Sequence, residues 1–551
     1  MSEAMDILKL YNEWCKKAAD KAVLSELTSI SGNEDEINDR FYCHLAFGTG
    51  GLRGKLGAGT NRMNVYSVAR ATRGLADYLN ENYSSPSIAI AYDSRNMSRE
   101  FAETVAEVMS AKGVKAYIFS ELMPTPVLSF AVRTLKTSAG VVVTASHNPK
   151  EYNGYKVYNE KGCQITEEAA KAVTEKIENS PYFDEICPDR SIIEVLDDSI
   201  LKQFLNTVEE KTLFKVPAKT PTIVYTPLNG TGNKPVRMLL DDMGVKSVYV
   251  VPEQEKPDGN FPTCPYPNPE ERAALELAIK LAKEKQADLV IATDPDADRM
   301  GIAVRKTDGE YRLFNGNETG TVMENFILSV LKNRNELPES PVVVKTIVTS
   351  DMAEDIASAY GAQTVEVLTG FKYIGETIDR LKNPKDYVFG MEESYGYLVS
   401  DHVRDKDAVS AVKVLVEAAC YYSSIGKSLI DVLEELYEKF GYYKTALISA
   451  TYPGEKGKEQ MAALTAMLRN NPPQTICGKK VDKVLDYSLG INGLPKSNVL
   501  AFYADTLKII VRPSGTEPKI KFYLTAKEKT EAESDGLLDS AKAYVNSLLT
   551  K

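Results

Sequence analysis

The sequence predicts an α/β protein in which three related α/β domains precede a fourth domain of the α+β class. A strand–helix–strand pattern occurs three times, and its length and order are typical of βαβ crossovers. A glycine follows the helical run each time, at Gly113, Gly244 and Gly361, where a helix C-cap favours glycine. Beyond residue 439 strands and helices follow another order, which indicates a different domain class.

Each of the three units consists of a β-rich run, a helical run and a second β-rich run. They are Ile88–Tyr92, Ser98–Ala111 and Lys115–Phe119; Thr222–Tyr225, Lys234–Met243 and Ser247–Val251; Val342–Thr346, Asp351–Tyr360 and Thr364–Leu368. A further strand follows each unit, at 138–143, 287–292 and 387–389, and leads into a polar loop. In α/β proteins chemistry lies beyond the carboxyl ends of strands, so these three loops are the candidates for function.

The units divide the chain into predicted domains at 1–207, 208–307, 308–438 and 439–551. Residues 3–30 have apolar side chains at helical spacing, which predicts a helix ahead of the first unit. In the fourth domain we predict, in order, a strand, a helix, two strands and a helix: Tyr442–Thr451, Gly457–Leu468, Leu507–Val511, Ile520–Thr525 and Glu531–Leu549.

Composition excludes several classes of protein. The net charge of −11 and the pI of about 5.2 argue against nucleic acid as a partner, because phosphate backbones need a basic surface. Seven cysteines without a C-x-x-C motif argue against a disulfide framework or a thiolate zinc site. No signal peptide and no long apolar span is visible. We therefore expect a cytoplasmic protein without membrane contact.

The first loop places Ser146 directly after a β-branched strand, within Thr144-Ala145-Ser146-His147-Asn148-Pro149. This is a position typical of a nucleophile at the end of a strand. An ordinary Asn-Pro turn carrying a solvent-exposed serine has the same local pattern. The loop by itself leaves both interpretations open.

The second loop alternates three aspartates, Asp294, Asp296 and Asp298. Carboxylates this close repel one another unless a cation lies between them, and an all-oxygen ligand set favours Mg²⁺ or another hard divalent ion. An EF-hand is excluded, because Arg299 and Arg305 stand where that loop needs glycine and glutamate. A solvated acidic turn is the alternative. Arg299 would suit a phosphoryl group.

Four further stretches carry candidate binding residues. The glycine-rich run 47–54 and the turn 512–519 offer backbone N–H groups, hydroxyls and arginines to an anion. Carboxylates in 392–394 can accept hydrogen bonds from sugar hydroxyls. The run 401–407 alternates charges, which is also typical of a salt-bridged surface turn.

Taken in order, four of these stretches resemble the signature loops of the α-D-phosphohexomutase superfamily: Thr144-Ala145-Ser146-His147-Asn148-Pro149, Asp294-Pro295-Asp296-Ala297-Asp298-Arg299, Gly390-Met391-Glu392-Glu393-Ser394 and Arg512-Pro513-Ser514-Gly515-Thr516-Glu517-Pro518. The glycine-rich run 47–54 resembles the superfamily's phosphate-contacting segment near the N-terminus. The length and the Glu-Glu-Ser loop are most similar to the bacterial phosphoglucomutase branch that is related to animal phosphopentomutases. The resemblance implies three α/β/α sandwich domains with mixed sheets and a C-terminal α+β domain, arranged around a central cleft.

The resemblance also implies roles for individual residues. Ser146 would carry a phosphoryl group, and an oxygen of phosphoserine 146 would join the three aspartates around Mg²⁺. The residues implied to contact the phosphosugar or its transferring oxygens are Arg53, Lys156, Arg299, Thr369, Gly370, Glu392, Ser394, His402, Lys406, Arg512, Ser514, Gly515 and Thr516. The general base stays open among His147, Lys156 and His402.

The implied reaction is reversible interconversion of glucose 1-phosphate and glucose 6-phosphate, with glucose 1,6-bisphosphate as intermediate and activator. Small phosphosugars would be the partners, and the chain would be a monomer or a weak dimer. Two alternatives remain at this point. One is the same chemistry on a pentose or mannose phosphate, and the other is a non-catalytic protein that binds phosphosugars.

Overall fold

The computed structural model describes residues 6–48, 50–452, 454–514 and 519–550. The chain forms two compact units. Unit 1 holds the residues up to Asn315 together with Ile374–Tyr387 and Ser394–Tyr421. Unit 2 holds Gly316–Tyr373, Val388–Glu393 and the residues from Tyr422 onward.

Unit 1 begins with three short helices and then builds two sheets. Its elements up to Asn315 are α1 (Ile7–Lys17), α2 (Lys21–Ser29), α3 (Glu34–Phe41), β1 (Gly51–Lys55), α4 (Val65–Asn82), β2 (Ser87–Tyr92), α5 (Ser98–Ala111), β3 (Lys115–Phe119), α6 (Thr125–Leu135), β4 (Ala139–Val143), β5 (Tyr152–Asn159), α7 (Glu167–Glu178), β6 (Ile193–Leu196), α8 (Ser199–Glu209), β7 (Ile223–Thr226), α9 (Asn233–Asp242), β8 (Val248–Val250), α10 (Pro252–Glu255), α11 (Arg272–Lys285), β9 (Leu289–Thr293), β10 (Met300–Arg305) and β11 (Tyr311–Phe314).

The helix predicted over residues 3–30 is two helices where the structure describes it. α1 ends at Lys17, and the side chain of Asp20 caps α2 by accepting from the Val23 N–H. The only tryptophan, Trp14, is fully buried among the rings of Phe41, Tyr66, Tyr182 and Phe183. These helices therefore form an aromatic cluster of their own.

The two sheets of unit 1 repeat one arrangement. In the order β1-β5-β4-β2-β3-β6, strand β2 is parallel to β3 on one side and to β4 on the other. In the order β11-β10-β9-β7-β8, strand β7 is parallel to β8 and to β9 in the same way. Antiparallel strands extend both sheets, so they are mixed. The loops after β4 and β9 thus leave from equivalent places.

The middle of the chain contributes to both units. Its elements are α12 (Gly316–Asn333), β12 (Val342–Thr346), α13 (Met352–Tyr360), β13 (Gln363–Val367), α14 (Phe371–Arg380), β14 (Tyr387–Glu392), β15 (Gly396–Leu398) and α15 (Ala408–Ser424). In unit 2, β12 lies between β13, to which it is parallel, and β14. This is the third copy of the βαβ pattern.

Unit 2 ends in an antiparallel sheet of the order β16-β22-β21-β20-β19. The remaining elements are α16 (Leu429–Phe440), β16 (Tyr442–Thr451), α17 (Gly454–Asn470), β17 (Thr475–Ile476), β18 (Lys479–Lys480), β19 (Lys483–Asp486), β20 (Leu500–Ala504), β21 (Leu507–Pro513), β22 (Lys519–Glu528) and α18 (Glu531–Leu549).

Within unit 2, an apolar cluster and a network of charged side chains join the sheet that contains β12 to this last sheet. Ile347 and Val348 pack against Ile510 and Tyr523 in one hydrophobic cluster. Beside them Lys508 Nζ lies 2.7 Å from an oxygen of Asp351, which Lys345 also contacts at 2.9 Å. Burial of each aliphatic side chain contributes about 2 kcal/mol to stability, so these contacts stabilise the packing of the two sheets within unit 2.

The predicted fold class is confirmed: three α/β domains with mixed sheets precede an α+β region. Gly113, Gly244 and Gly361 all follow their helices with φ between 76° and 81°, the left-handed conformation that glycine adopts most easily. All seven cysteines are free. Among the described residues, no single helix is long and apolar enough to span a membrane.

Candidate active site

Ser146 leaves the end of β4 in a strained backbone conformation. Its φ is 52°, a left-handed value that costs a residue with a side chain about 1–2 kcal/mol. Its N–H donates to Thr144 Oγ1 at 2.8 Å, which holds the turn. Strain of this kind persists where the surroundings fix it, and it clusters at functional sites.

The Ser146 hydroxyl contacts a group from the second sheet. Its Oγ donates to Asp294 Oδ2 at 2.8 Å and lies 3.2 Å from His147 Nδ1. The serine is nearly completely buried. The two loops that sequence analysis singled out separately, after β4 and after β9, are therefore in direct contact.

The loop after β9 gathers three buried carboxylates. Asp294, Asp296 and Asp298 each offer an oxygen, and these oxygens lie within 4.8 Å of one another. The turn closes because Asp294 Oδ1 accepts from the backbone N–H groups of Asp298 at 3.1 Å and Arg299 at 3.0 Å. Ala297, between the second and third aspartates, has φ of 49°, so all three side chains can turn inward.

Two helix N-termini and a glycine-rich turn enclose this loop. The carbonyl of Asp296 accepts from the N–H of Thr125, the first residue of α6, and that of Ala297 from the N–H of Ala408, the first residue of α15. The positive ends of helix dipoles stabilise nearby negative charge. A Cβ at Gly230 would lie 2.4 Å from the Pro295 backbone, so this close approach requires glycine.

Two lysines face the carboxylates. Lys156 Nζ, on β5, lies 2.7 Å from Asp296 Oδ2 and 3.4 Å from Asp298 Oδ2. Lys406 Nζ lies 3.2 Å from Asp298 Oδ2 and 3.1 Å from Asp405 Oδ1. Tyr158 donates to the other oxygen of that Asp405 at 2.7 Å, so Lys406 is held on both sides.

Burial and mutual repulsion set the protonation of this cluster. Burial, followed by the charges of Asp296 and Asp298, raises the pKa of Asp294 well above its usual value. Burial alone would also raise the pKa of Asp296, but the Lys156 ammonium outweighs it and holds this pKa well below its usual range. Burial would lower the pKa of Lys156, yet the two aspartates raise it. In the absence of a cation, burial and the two neighbouring carboxylates therefore favour the protonated form of Asp294.

The donor set fits a hard divalent cation. Asp296 Oδ1 and Asp298 Oδ1 are buried, and neither has a hydrogen-bond partner among the residues that the structure describes. Buried polar atoms normally have partners, so these oxygens are available to a ligand. Carboxylate oxygens in a compact group are what Mg²⁺ prefers.

Arginines and an exposed tyrosine surround the serine loop. Arg299 donates to Glu270 Oε1 at 3.0 Å, and Arg53 Nη1 lies 3.5 Å from Asn148 Oδ1. The ring of Tyr266 stands edge-on to His147, with centroids 6.0 Å apart. Burial, Arg299 and Arg53 lower the pKa of His147 well below its usual value, which favours the neutral imidazole.

His402 is occupied by other contacts. Its Nε2 lies 2.8 Å from Asp407 Oδ2 and its Nδ1 2.8 Å from Ser400 Oγ. Both ring nitrogens are used, so the structure brings Lys406 of this stretch to the carboxylates but not the imidazole of His402.

In unit 2 the predicted sugar-binding residues begin on a strand rather than in a loop. β14 runs from Tyr387 to Glu392, and Gly390 and Met391 within it are buried. Glu392 Oε1 accepts from the N–H of Gly370 at 3.0 Å. Thr369 Oγ1 has no hydrogen-bond partner in the described part of the chain. Ser394 belongs to unit 1.

Arg512 lies at the end of β21 in unit 2. Burial and the Glu393 carboxylate raise the pKa of Tyr523, while the charge of Arg512 opposes them. The N–H of Ser514 donates to the Lys519 carbonyl at 2.7 Å. Gly515 and Thr516 lie outside the described residues.

Two residues of the site are not predicted by the sequence pattern: Thr125, which touches the cluster, and Glu270, which contacts Arg299 beside it. Thr125 Oγ1 donates to Asp296 Oδ2 at 2.8 Å, and Glu270 fixes Arg299. Thr125 begins α6 and Pro126 follows it in the first turn, which is a local N-terminal signal, but only the fold brings Thr125 to the aspartates.

Family models and known relatives match most of the chain. Models of the alpha/beta/alpha domains I, II and III of phosphoglucomutase/phosphomannomutase match residues 44–182, 202–309 and 315–440. A phosphoglucomutase of Staphylococcus haemolyticus is 38% identical over 531 residues, which cover 93% of this chain and 96% of that protein. One of Staphylococcus aureus is 37% identical over 534 residues, with 93% and 95% covered.

Solved structures share the fold at lower identity. Parafusin, a phosphoglucomutase of Paramecium in its open form, superposes with a TM-score of 0.72 at 18% identity and covers 92% of this chain and 95% of that one. A phosphoglucomutase/phosphomannomutase family protein of Burkholderia thailandensis gives 0.70 at 17% identity, with 91% and 97% covered.

Proposed function

This chain belongs to the phosphoglucomutase/phosphomannomutase family, and from that premise we propose that it interconverts α-D-glucose 1-phosphate and glucose 6-phosphate. Ser146 carries the phosphoryl group between turnovers, and glucose 1,6-bisphosphate is the intermediate. The relatives that are 37–38% identical over most of both chains are phosphoglucomutases, which supports glucose over other sugars.

One observation carries the proposal. Ser146 Oγ lies 2.8 Å from Asp294 in a group of three buried aspartates that two lysines contact, and two of the carboxylate oxygens have no hydrogen-bond partner among the described residues. A hydroxyl in such surroundings suits a phosphate, because both a divalent cation and ammonium groups can share its charge. Acyl transfer would instead need an oxyanion site and an oriented histidine.

Mg²⁺ is the ion that we assign to the aspartates. Asp294, Asp296 and Asp298 would hold it, with an oxygen of the phosphorylated Ser146 as a further ligand. The ion supplies Lewis-acid polarisation of the phosphoryl oxygens when bound.

The protein's own cations neutralise the rest of the charge. Lys156 and Lys406 are fixed by Asp296, Asp298 and Asp405, so they need little reorganisation when a phosphate arrives. Arg299 has a forked donor set suited to phosphate and is held in place by Glu270. Positioning and charge neutralisation are the main requirements of phosphoryl transfer.

His147 is the side chain that we assign to proton transfer at Ser146. Its Nδ1 lies 3.2 Å from Ser146 Oγ, within reach of the hydroxyl proton that must leave when the serine attacks a phosphate. The other two candidates are engaged: Lys156 with two aspartates, and His402 through both ring nitrogens.

The sugar hydroxyls and the second phosphate are assigned to the other predicted binding residues. Glu392, held by the Gly370 N–H, accepts from sugar hydroxyls, and Thr369, Gly370 and Ser394 contribute to the same recognition. Arg512 with Ser514, Gly515 and Thr516 grips the phosphate that is not transferred. A bisphosphate must turn around between the two transfers, so it needs one reactive site and one distal grip.

Turnover in a coupled assay tests the function. Glucose 1-phosphate, Mg²⁺ and a trace of glucose 1,6-bisphosphate are supplied, and glucose 6-phosphate formation is followed by a dehydrogenase. We expect turnover that disappears in Ser146→Ala and persists in Ser191→Ala, a matched change at an exposed serine. The intact mass of the chain is measured before and after glucose 1,6-bisphosphate is added. After the addition we expect a chain that carries one phosphate, and peptide mapping should locate that phosphate at Ser146.

The substrate alternatives are decided by the same assay. Relative kcat/KM for glucose, mannose and ribose 1-phosphates measures the sugar preference. A higher value for ribose or mannose would replace glucose in the proposal. Absence of turnover with all three, in a protein that still binds phosphosugars, would leave the non-catalytic alternative.

A further inference from the structure

Arg95 makes an unusual set of contacts below the serine loop. It lies after β2, and only 3% of its surface is exposed. Its guanidinium donates to four backbone carbonyls: those of Ser146 and Asn148, both at 2.5 Å, Pro149 at 2.9 Å and Tyr152 at 3.1 Å. Three of these carbonyls belong to the segment that connects β4 to β5 and carries Ser146, and Tyr152 is the first residue of β5.

These contacts fix a conformation that the loop would not keep alone. Ser146 has a φ of 52°, and one nitrogen of the Arg95 guanidinium donates to its carbonyl. Because a guanidinium is planar and its donors have fixed directions, it sets the orientation of each peptide group and not only its distance. The direction of the Ser146 side chain follows from that backbone.

Asp93 neutralises the buried guanidinium. Asp93 Oδ2 lies 3.3 Å from Arg95 Nε, while Oδ1 accepts from the Arg95 N–H at 2.9 Å and from Ser98 Oγ at 2.7 Å. The ion pair therefore adds little net charge beside the aspartates. The cations available to a phosphate remain the lysines and arginines described above, so Arg95 acts on the backbone and not on the substrate.

A segment after β8 buttresses the same turn. The ring of Phe261 lies 5.0 Å from Arg95 Cζ, and Asn260 Oδ1 accepts from Asn96 Nδ2 at 3.1 Å. A Cβ at Gly259 would lie only 2.4 Å from the Asn96 backbone nitrogen. The connection between β8 and β9 thus braces the arginine that holds the serine loop, and the loop after β9 supplies the aspartates.

We propose that Arg95 is a positioning residue for phosphoryl transfer, which acts through the carbonyls of residues 146–152 to aim Ser146 Oγ at the three-aspartate cluster. The inference rests on the proposed function for its catalytic consequence. Its structural part, the hold on the loop, does not depend on the substrate.

The test compares Arg95→Ala and Arg95→Lys with Arg99→Ala. Arg99 lies four residues further on, on the exposed side of α5, where it pairs with Glu103. A misplacement of about 1 Å costs about 10²-fold in rate, so we expect kcat of Arg95→Ala to fall about that much, with KM changed by less than about threefold. Arg95→Lys keeps the positive charge but lacks the planar set of donors of a guanidinium, so its kcat should lie between those of wild type and Arg95→Ala.

Two further measurements separate positioning from general destabilisation. Guanidinium ion at low concentration should restore part of the lost kcat in Arg95→Ala, while the same ionic strength of sodium chloride should not. Hydrogen exchange should accelerate in residues 144–153 of Arg95→Ala and stay at the wild-type rate in α5. Arg99→Ala should match wild type throughout.

Wild-type kcat and wild-type exchange in both Arg95 variants would overturn the proposal. A fall in kcat that guanidinium does not relieve, with exchange accelerated across the whole chain, would also overturn it in favour of a folding role. If the wild-type protein shows no turnover, the proposed function fails instead, and the exchange comparison alone decides whether Arg95 holds the loop.

Discussion

Replacement of Asp296 by asparagine tests the metal assignment with little disturbance of shape. Asp296 Oδ2 accepts from Lys156 Nζ at 2.7 Å and from Thr125 Oγ1 at 2.8 Å, whereas Oδ1 has no hydrogen-bond partner among the described residues. An amide can present its oxygen to the same two donors and its NH₂ group at the free position. We therefore expect a folded protein that has lost one negative charge at the cluster.

The magnitude follows from the spacing of the cluster. Its ligand oxygens lie within 4.8 Å of one another, so an ion between them lies within about 4 Å of each. A divalent ion and one carboxylate at that distance attract each other by about 8 kcal/mol at an effective dielectric of 20. The asparagine oxygen keeps part of this attraction, and loss of about half of it would weaken Mg²⁺ binding about a thousandfold, since 1.36 kcal/mol is tenfold. The same change removes one of the charges that raise the pKa of Asp294.

Calorimetric titration with Mg²⁺ and the coupled assay across a range of Mg²⁺ concentrations measure this change. We expect Asp296→Asn to show weak binding and little turnover at Mg²⁺ concentrations that saturate wild type. Asp308→Asn is the control, because Asp308 is an exposed aspartate that pairs only locally, with Lys306 at 2.8 Å. Unchanged Mg²⁺ affinity in a folded Asp296→Asn would refute the assignment of the ion to this cluster.

Three other changes have expected outcomes that the structure sets. Lys156→Met should lower kcat about a hundredfold through loss of a charge donor, yet tighten Mg²⁺ binding because a like charge is gone; weaker binding would contradict this. Lys508→Met removes one of the two cations that contact Asp351, whose side chain is 32% exposed, and should cost about 2 kcal/mol of unfolding free energy in urea, whereas an unchanged midpoint would show that the pair contributes nothing. Burial raises the pKa of Glu324 well above its usual value. The folded state therefore keeps a proton that the unfolded chain loses above about pH 4.3. The free energy of unfolding then falls with rising pH by about 1.4 kcal/mol per pH unit until the pKa of the folded state is reached. Glu324→Gln should therefore raise Tm more at pH 8 than at pH 5, and an equal shift at both would exclude a buried carboxyl as the cause.

Local signals were sufficient for most of the repeated fold. Helix α5 has the predicted bounds, Ser98–Ala111, because its apolar spacing and the glycine after it are both contained in the sequence of the element. Strands β12 and β16 also have the predicted bounds. The break between α1 and α2 was not predicted, since apolar spacing continues across it and only the Asp20 cap marks the second start.

Where chain segments meet depends on tertiary structure. Three aspartates in one loop indicate a cation from sequence alone, but Lys156 and Thr125 lie 140 and 171 residues from Asp296 and no spacing rule connects them. Arg95 had one available signal: Asp-Ser-Arg follows β2, which neighbours β4, so its loop leaves beside that of Ser146. His402 is the opposite case. The sequence pattern made this histidine a candidate for the site, but the fold places its ring against Asp407 and Ser400.

The burial of Trp14 within the helices α1–α3 determines what intrinsic fluorescence can report. It is the only indole in the chain, and its neighbours are aromatic rings of unit 1. Excitation at the red edge of the absorption band therefore follows the solvation of this cluster alone, while circular dichroism averages over all helices. In Lys508→Met the two signals should separate, with ellipticity lost at a lower urea concentration than the shift in emission wavelength.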